Sequence, residues 1–404
     1  MNELKKQIQE WQAALQKRVP PAPRLVGGKW SRVLLLPLLA ILIVFPLFFA
    51  QTSTFLDTTI IAIAYVVMAL GLNVVVGFAG LLDLGYVAFY AFGAYAVGWF
   101  GSGFFFNSHI NVLSSAAPGA IGIHLNFILI LVCAVIITSI AGIVIGLPTL
   151  RLRGDYIAIV TLGFGEIIGT TAVNGNGIHI GSGESLTAGN LGISPLDLPY
   201  FPVIGHFGLL GERPWYWLIL LIALFVLFVV RRLRDSRLGR AWIALREDEV
   251  AAVSMGIPLV KTKLLAYAIG AAFGGMSGVF LADFDQTVNA SQFQFTFSIF
   301  VLSMVIVGGL GSIWGCVLGA LLLTYINYYL IPDVFNNVPH DLGLNFNLTD
   351  LNIGIFGFLL VIVMLLRPQG LLPERRRRME LTGEAPAEHP ELAEPSSGSG
   401  SVTL

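Results

Sequence analysis

Charge is what this chain of 404 residues has least of. Asp, Glu, Lys and Arg together make up 12% of it, against roughly 25% in a soluble domain. With 56% hydrophobic residues and a mean hydropathy of +0.81, this excludes an ordinary water-soluble globule and marks an integral membrane protein. Cysteine is almost absent. The two present, Cys133 and Cys316, both fall inside apolar runs, which favours buried small hydrophobes over a disulfide or metal pair. A net charge of -1 leaves no global basic field for nucleic acid. Catalytic signatures are lacking too. The one Gly-Lys pair, in GGKW from Gly27, has neither the spacing nor the Ser/Thr of a phosphate-binding loop; there is no H-E-x-x-H or strand-borne G-x-S-x-G, and the six His are scattered. A membrane protein without an engine runs downhill, couples to an ion gradient, or borrows hydrolysis from a partner.

What the chain has in abundance is long apolar runs. A transmembrane helix needs about 20 mostly apolar residues to cross about 30 Å of hydrocarbon. Ten candidates satisfy or approach this: 31-51, 56-77, 84-101, 123-150, 156-174, 214-231, 262-284, 296-310, 312-331 and 351-367. The eighth and ninth, parted by a glycine turn, are either two spans or a re-entrant pair. The expected fold is therefore all-α, a polytopic transmembrane bundle. Lys and Arg gather before the first span, between the fourth and fifth, after the sixth and after the last, leaving only Arg213 in a predicted outside loop. Basic residues near span ends are retained in the cytoplasm, which predicts both termini there.

Three segments follow. Residues 1-30 carry Leu4, Ile8, Trp11 and Leu15 at helical spacing, an amphipathic stripe lying on the membrane or on a partner until Pro20, Pro21 and Pro23 end it. Charged residues throughout rule out a signal peptide there. Residues 31-373 form the transmembrane domain. Residues 374-404, rich in Pro, Glu, Ser and Gly from Glu380 on, read as a disordered tail.

Small residues recur every fourth position at Gly270, Gly274 and Gly278, again at Gly311, Gly315 and Gly319, and as the pair Gly165 and Gly169. In lipid such spacing lets backbones approach, for packing within one subunit or along a substrate path or subunit interface. GFAGLLDLGYVAFYAFGAY from Gly77 is echoed by GGLGSIWGCVLGALLLTY from Gly308: a glycine turn, a small polar residue (Asp83, Ser312), then a glycine-spaced apolar helix. Glu166 lies ten residues past Tyr156, about 15 Å along a helix and near mid-bilayer, where an acid costs on the order of 2.5 to 3.5 kcal/mol. It either binds neighbouring helices together or meets a substrate ammonium group. Asp83 reads as a helix cap, and Asp283 with Asp285 as a solvated rim.

The largest loop, 232-261, interrupts the oil with GRAWIALREDEVAAVSMGI from Gly239. Strong helix formers from Ala241 to Met255 predict one helix, closed by Gly256 and stopped by Pro258. Trp242, Leu245 and Val253 offer an apolar patch beside Arg246, Glu247, Asp248 and Glu249. A short two-faced helix of this kind suits a groove on a soluble partner; three consecutive acids oppose the alternative of lying on anionic lipid.

LREDEVAAVSMGI resembles the coupling loop of bacterial ABC importer permeases, with Glu249, Ala251, Ala252 and Gly256 matching its Glu-Ala-Ala and Gly element around an inserted Val250. LPTLRLRGDYIAIVTLGFGEII from Leu147, FTFSIFVLSMVIVGGLGSIWG from Phe295, GLNVVVGFAGLLDLGYVAFYAFGAY from Gly71 and RPQGLLP from Arg367 resemble the larger permease subunit, LivM type, of high-affinity branched-chain amino acid importers. The resemblance implies a homologous second permease subunit, two ATP-binding subunits that hold the ATP and Mg, a periplasmic binding protein and a bacterial inner membrane, with no cofactor or metal in this chain. It implies that Arg240 to Gly256 transmit the partner's closure and that Gly154, Asp155, Glu166 and Asp83 shape the path. SLTAGNLGI from Ser185 only approximates the family's Thr-Gly-Gly-x-Asn-Gly-Ile, through Thr187, Gly189, Asn190 and Gly192. The rivals are a urea or other small-solute ABC permease, an ATP-independent secondary transporter, and a membrane scaffold.

Overall fold

The computed structural model describes residues 37, 40–50, 52–114, 119–150, 152, 156–180, 184–201, 205–208, 211–335, 352–366 and 370–372. The segments 1-30 and 374-404, and residues 31–36, 38, 39 and 51 of the predicted first span, lie outside them; within that span a short 3-10 turn, Phe45–Phe48, has Pro46 near its start.

Apolar runs without internal breakers become helices, and small polar residues set their starts. Ser53 opens α1 (Thr54–Leu72) by accepting the Leu56 N–H at 3.2 Å. The chain then loosens into a π turn, Asn73–Phe78, buried throughout. After α2 (Val87–Phe100), Asn126 caps α3 (Phe127–Thr149) through the Ile128 N–H at 3.0 Å. Next come α4 (Tyr156–Asn174) and α5 (Glu212–Asp235). Ser236 caps α6 (Arg237–Glu247), Asp248 caps α7 (Glu249–Ser254), and α8 (Leu259–Phe284) follows. A hairpin of α9 (Phe295–Gly308) and α10 (Ile313–Tyr325) precedes a second π segment, Ile326–Phe335, and α11 (Asn352–Leu366).

Six of these helical stretches are long and apolar enough to cross a membrane: Thr54–Phe78, Phe127–Thr149, Tyr156–Gly177, Glu212–Asp235, Leu259–Phe284 and Ile313–Phe335. Two predicted spans are shorter than expected. α2 and α9 have fourteen residues each, about 21 Å at helical rise, because glycine-containing turns take up the rest of each run. Ten full crossings are therefore not found among the described residues.

α1 and α8 are buried on nearly all sides, as befits helices that are apolar all round. α8 lies against α1, α2 and α3, and α10 against α1. The crossings rely on missing side chains: a methyl group on Gly93 would strike the Gly275 backbone, and one on Gly270 would strike Val75 and the Gly71 carbonyl. Gly278 abuts the Tyr90 carbonyl, Gly169 the Phe293 carbonyl, and Gly165 the Cα of Gly85. The outer helices carry the opposite pattern. Ile128, Val132, Ile136, Ile140 and Val144 leave one face of α3 exposed, as do Leu221, Phe225 and Phe228 on α5, the stripe expected of a lipid-facing surface.

At the end where α2 stops, a small sheet of Gly101–Ser102, Gly122–Leu125 and His109–Val112 forms in that spatial order, the first pair antiparallel and the second parallel. His124 Nδ1 lies 2.7 Å from Asp197 Oδ2, tying this sheet to the chain before α5. The sheet is small, and the molecule remains a helical bundle.

Candidate functional site

The charged loop folds as an elbow of two helices where its sequence predicts one. Asp248 adopts extended backbone (φ -151°, ψ 111°), and its Oδ1 accepts the Val250 and Ala251 N–H groups at 2.8 and 3.0 Å. An aspartate at this position caps a new helix more favourably than it extends the old one. The second helix closes as predicted at Gly256, which sits at φ +86° while Ile257 N–H reaches back to the Ala252 carbonyl at 3.1 Å.

Its side chains divide differently from expectation. Trp242 is fully buried and donates from Nε1 to the Thr262 carbonyl at 2.8 Å; Leu245 is also buried. Both pin the elbow to the bundle and leave no patch for a partner. Of the predicted patch Val253 alone is exposed, at 46%, and it is joined by Val250 and Met255, 71% and 85% exposed. Of the charged residues, Arg240 donates to the Asp235 carbonyl at 2.9 Å, and Glu247 is exposed. Arg246 and Glu249 turn inward. Glu249 Oε2 receives a hydrogen bond from Lys263 Nζ at 2.9 Å, and the Lys263 side chain is 6% exposed. Ala252 is buried and Ala251 exposed.

Arg246 reaches the end of α1. Its Nη1 donates to the Gly77 carbonyl, and its aliphatic stem covers Gly80. The turn between α9 and α10 arrives at the same place: Gly311, at φ +82°, donates its N–H to Asn73 Oδ1 at 2.9 Å. The α9–α10 hairpin is closed by backbone contact of Gly308 with Gly315 and of Met304 with Gly319. Leu371 and Leu372 N–H groups add hydrogen bonds to the Val307 and Gly308 carbonyls at 2.8 and 3.0 Å. The two glycine turns that echo each other in sequence thus meet, with the elbow fastened to one of them. Asn73 and Lys263 were not singled out from sequence. A lone Asn inside an apolar run was a visible signal for the first; nothing local marks the pairing of the second.

On the flank of the bundle, α4 opens onto a cleft of about 510 Å³ lined by Glu166, Gly169, Thr170, Val173 and Asn174 on one side and by Asn190, Ala290, Ser291 and Phe293 to Thr296 on the other. Glu166, Thr170 and Asn174 are all exposed, at i, i+4 and i+8 along one face. Glu166 makes no hydrogen bond or ion pair with the described residues. Gly154 and Asp155 lie outside the described residues. Asp83 is away from the cleft. It is 2% exposed, and its Oδ1 accepts the Gly85 N–H at 2.9 Å, shaping the turn before α2 without capping that helix. Thr187 and Gly189 pack under the end of α4, Thr187 donating to the Ala172 carbonyl at 3.0 Å. Asp285 is exposed, whereas Asp283, expected at the same solvated rim, is buried at 1% exposure; the helix carries on past it and turns it inward. Among the described residues no group of His, Cys, Asp and Glu is placed to hold a metal ion.

The structure is thus that of a polytopic helical membrane protein, with an elbow fastened to two of its spans and a cleft along the second half of α4. The family model for the permease component of the branched-chain amino acid transport system matches residues 54–364, and the chain belongs to that family. It is 35% identical over 383 residues to the high-affinity branched-chain amino acid transport permease LivM of Salmonella typhimurium, covering 89% of this chain and 79% of the relative. The probable LivM of Methanocaldococcus jannaschii is 30% identical, over 79% of this chain and 96% of its own. LivH, the other permease of this name in Escherichia coli, is 24% identical over 76% of this chain and 91% of its own length. No solved structure matches. The chain is thus a permease component of a multi-subunit ABC transporter, homologous to both permeases of that system.

Proposed function

We propose that this chain is the membrane-spanning subunit of an ATP-driven importer that carries branched-chain, Leu/Ile/Val-like amino acids inward across a bacterial inner membrane, with both termini in the cytoplasm. Its partners are a homologous second permease, two ATP-binding subunits that hold ATP and Mg²⁺, and a periplasmic binding protein that delivers substrate. The chain is not an enzyme and holds no cofactor of its own.

The elbow carries this reading. Its inner side is fixed by Trp242, Arg246 and Glu249, while Val250, Val253 and Met255 point outward. Exposed apolar groups on a rigid two-turn helix fit a groove on a soluble subunit, and Glu247 and Asp248 beside them disfavour an anionic lipid surface. Closure of the ATP-binding pair would push on the elbow and reach α1 through Arg246 and α8 through Lys263, rocking the spans around the path.

The test is a Val250→Asp/Val253→Asp variant. Both side chains are exposed, so the bundle folds; the ATP-binding subunits are expected to be lost on purification and ATP-dependent leucine uptake with them. Full uptake by this variant overturns the assignment, and uptake of urea in preference to leucine redirects the substrate.

A further inference from the structure

Glu166 stands about 15 Å along α4 from Tyr156, exposed, without a partner among the described residues, and on the wall of a cleft large enough for an amino acid. A carboxylate at that depth is not left against lipid. The rest of the wall carries no charge, its polar groups being Thr170, Asn174, Asn190, Gln294 and Thr296 on both sides, with Val173 and Phe295 among its apolar ones. Gly163, one turn before Glu166, adds an open patch where a methyl group would touch nothing. One acid among neutral donors and acceptors recognises a cation or the cationic end of a zwitterion, since an anionic ligand would meet repulsion without a compensating base.

We propose that this cleft is a station on the translocation path, closed on its open side by the second permease, and that Glu166 holds the ammonium group of the passing amino acid. The amide and hydroxyl groups of the wall receive its carboxylate, and Val173 and Phe295 border its aliphatic side chain. Glu166 therefore selects for the ammonium group, a task distinct from delivery by a binding protein. The proposal rests on the importer reading above.

The experiment uses the complete transporter in vesicles, with Cys133 changed to Ser so that the buried Cys316 is the one native thiol left in this chain, and the transporter with Glu166 unchanged serves as the control for thiols of the other subunits. Glu166→Gln is expected to lower L-leucine uptake about tenfold to a hundredfold, the factor supplied by a charge-assisted hydrogen bond, with the subunits still assembled and basal ATP hydrolysis kept. Glu166→Asp is expected to retain most of the uptake. Glu166→Cys is expected to react from water with a methanethiosulfonate carrying a sulfonate and to regain uptake, while the trimethylammonium reagent gives none. Unchanged uptake in Glu166→Gln, a thiol unreactive with and without ATP, or equal uptake after either reagent overturns the proposal. If the unaltered transporter shows no ATP-dependent leucine uptake, it is the importer reading that falls.

Discussion

The Arg246 guanidinium donates to the Gly77 carbonyl, so the charged elbow and the buried end of α1 are one mechanical unit. Gly77 lies in the π turn that follows α1, where Ala79 and Leu81 N–H groups bond back to Val74 and Val75. A π turn leaves the backbone a second way to pair, and such turns often occur at functional sites. Movement of the elbow has a direct grip on it.

Removing that grip separates fuel from transport. Arg246→Ala is expected to cut leucine uptake about tenfold, as loss of a charged hydrogen bond would, while ATP hydrolysis by the assembled complex continues. Lysine cannot reproduce both the flat guanidinium and the stem packing over Gly80, so Arg246→Lys recovers part of the uptake. The readout is the number of leucine molecules moved per ATP.

The second fastening is the Lys263–Glu249 pair at 2.9 Å. Lys263 is nearly buried, so Glu249→Gln leaves an ammonium group without its counter-charge and costs about 1 to 2 kcal/mol. Glu249→Arg sets two cations together and costs more, with uptake uncoupled. Exchanging the two residues restores the attraction; melting temperature and uptake should both rise above those of either single variant.

The crossing of α2 and α8 is expected to tolerate no side chain at its centre. In Gly93→Val the new atoms meet the Gly275 backbone, which cannot rotate away. Overpacking costs 1 to 3 kcal/mol or more, here at least about 3. Loss of the monodisperse peak in size-exclusion chromatography, or a sharply lowered melting temperature, checks this.

Asp285, just beyond the end of α8, lines a recess of about 220 Å³ with Asp57, Glu212, Trp215, Phe284 and Gln286. Its side chain reaches solvent, yet the recess around it strips enough water from the carboxyl to push it up to about 6 from 3.8, against the hydrogen bond from Gln292 and with a further rise from the Asp57 carboxylate. A carboxyl raised on folding favours the folded state below its unfolded value, and that stability is lost as pH rises through about 6. Asp285→Asn should therefore raise the melting temperature at pH 8 and leave it unchanged near pH 3.5.

Much of this was legible along the chain. The family blocks, the helices at nine of the ten predicted runs and the Gly256 stop all follow from local composition. The candidate site was legible in its parts only. Glu166 stood out because an acid in oil needs a reason, but which residues line the cleft around it depends on segments far along the chain. Asp248 broke the predicted elbow helix because its cap competed locally with helix continuation. Trp242 and Leu245 faced inward because α8 comes back beside them.

Sequence by itself determined that this is a many-span helical membrane protein of a known permease family, since apolar run length and motif blocks depend on nothing beyond the order of residues. Only the tertiary structure decided that Arg246 meets Gly77, that Glu249 pairs with Lys263, that two distant glycine turns touch through Asn73 and Gly311, and that Glu166 opens onto a cleft. Each of those contacts joins segments from different helices, and a local pattern fixes the face a helix offers without fixing which neighbour it meets.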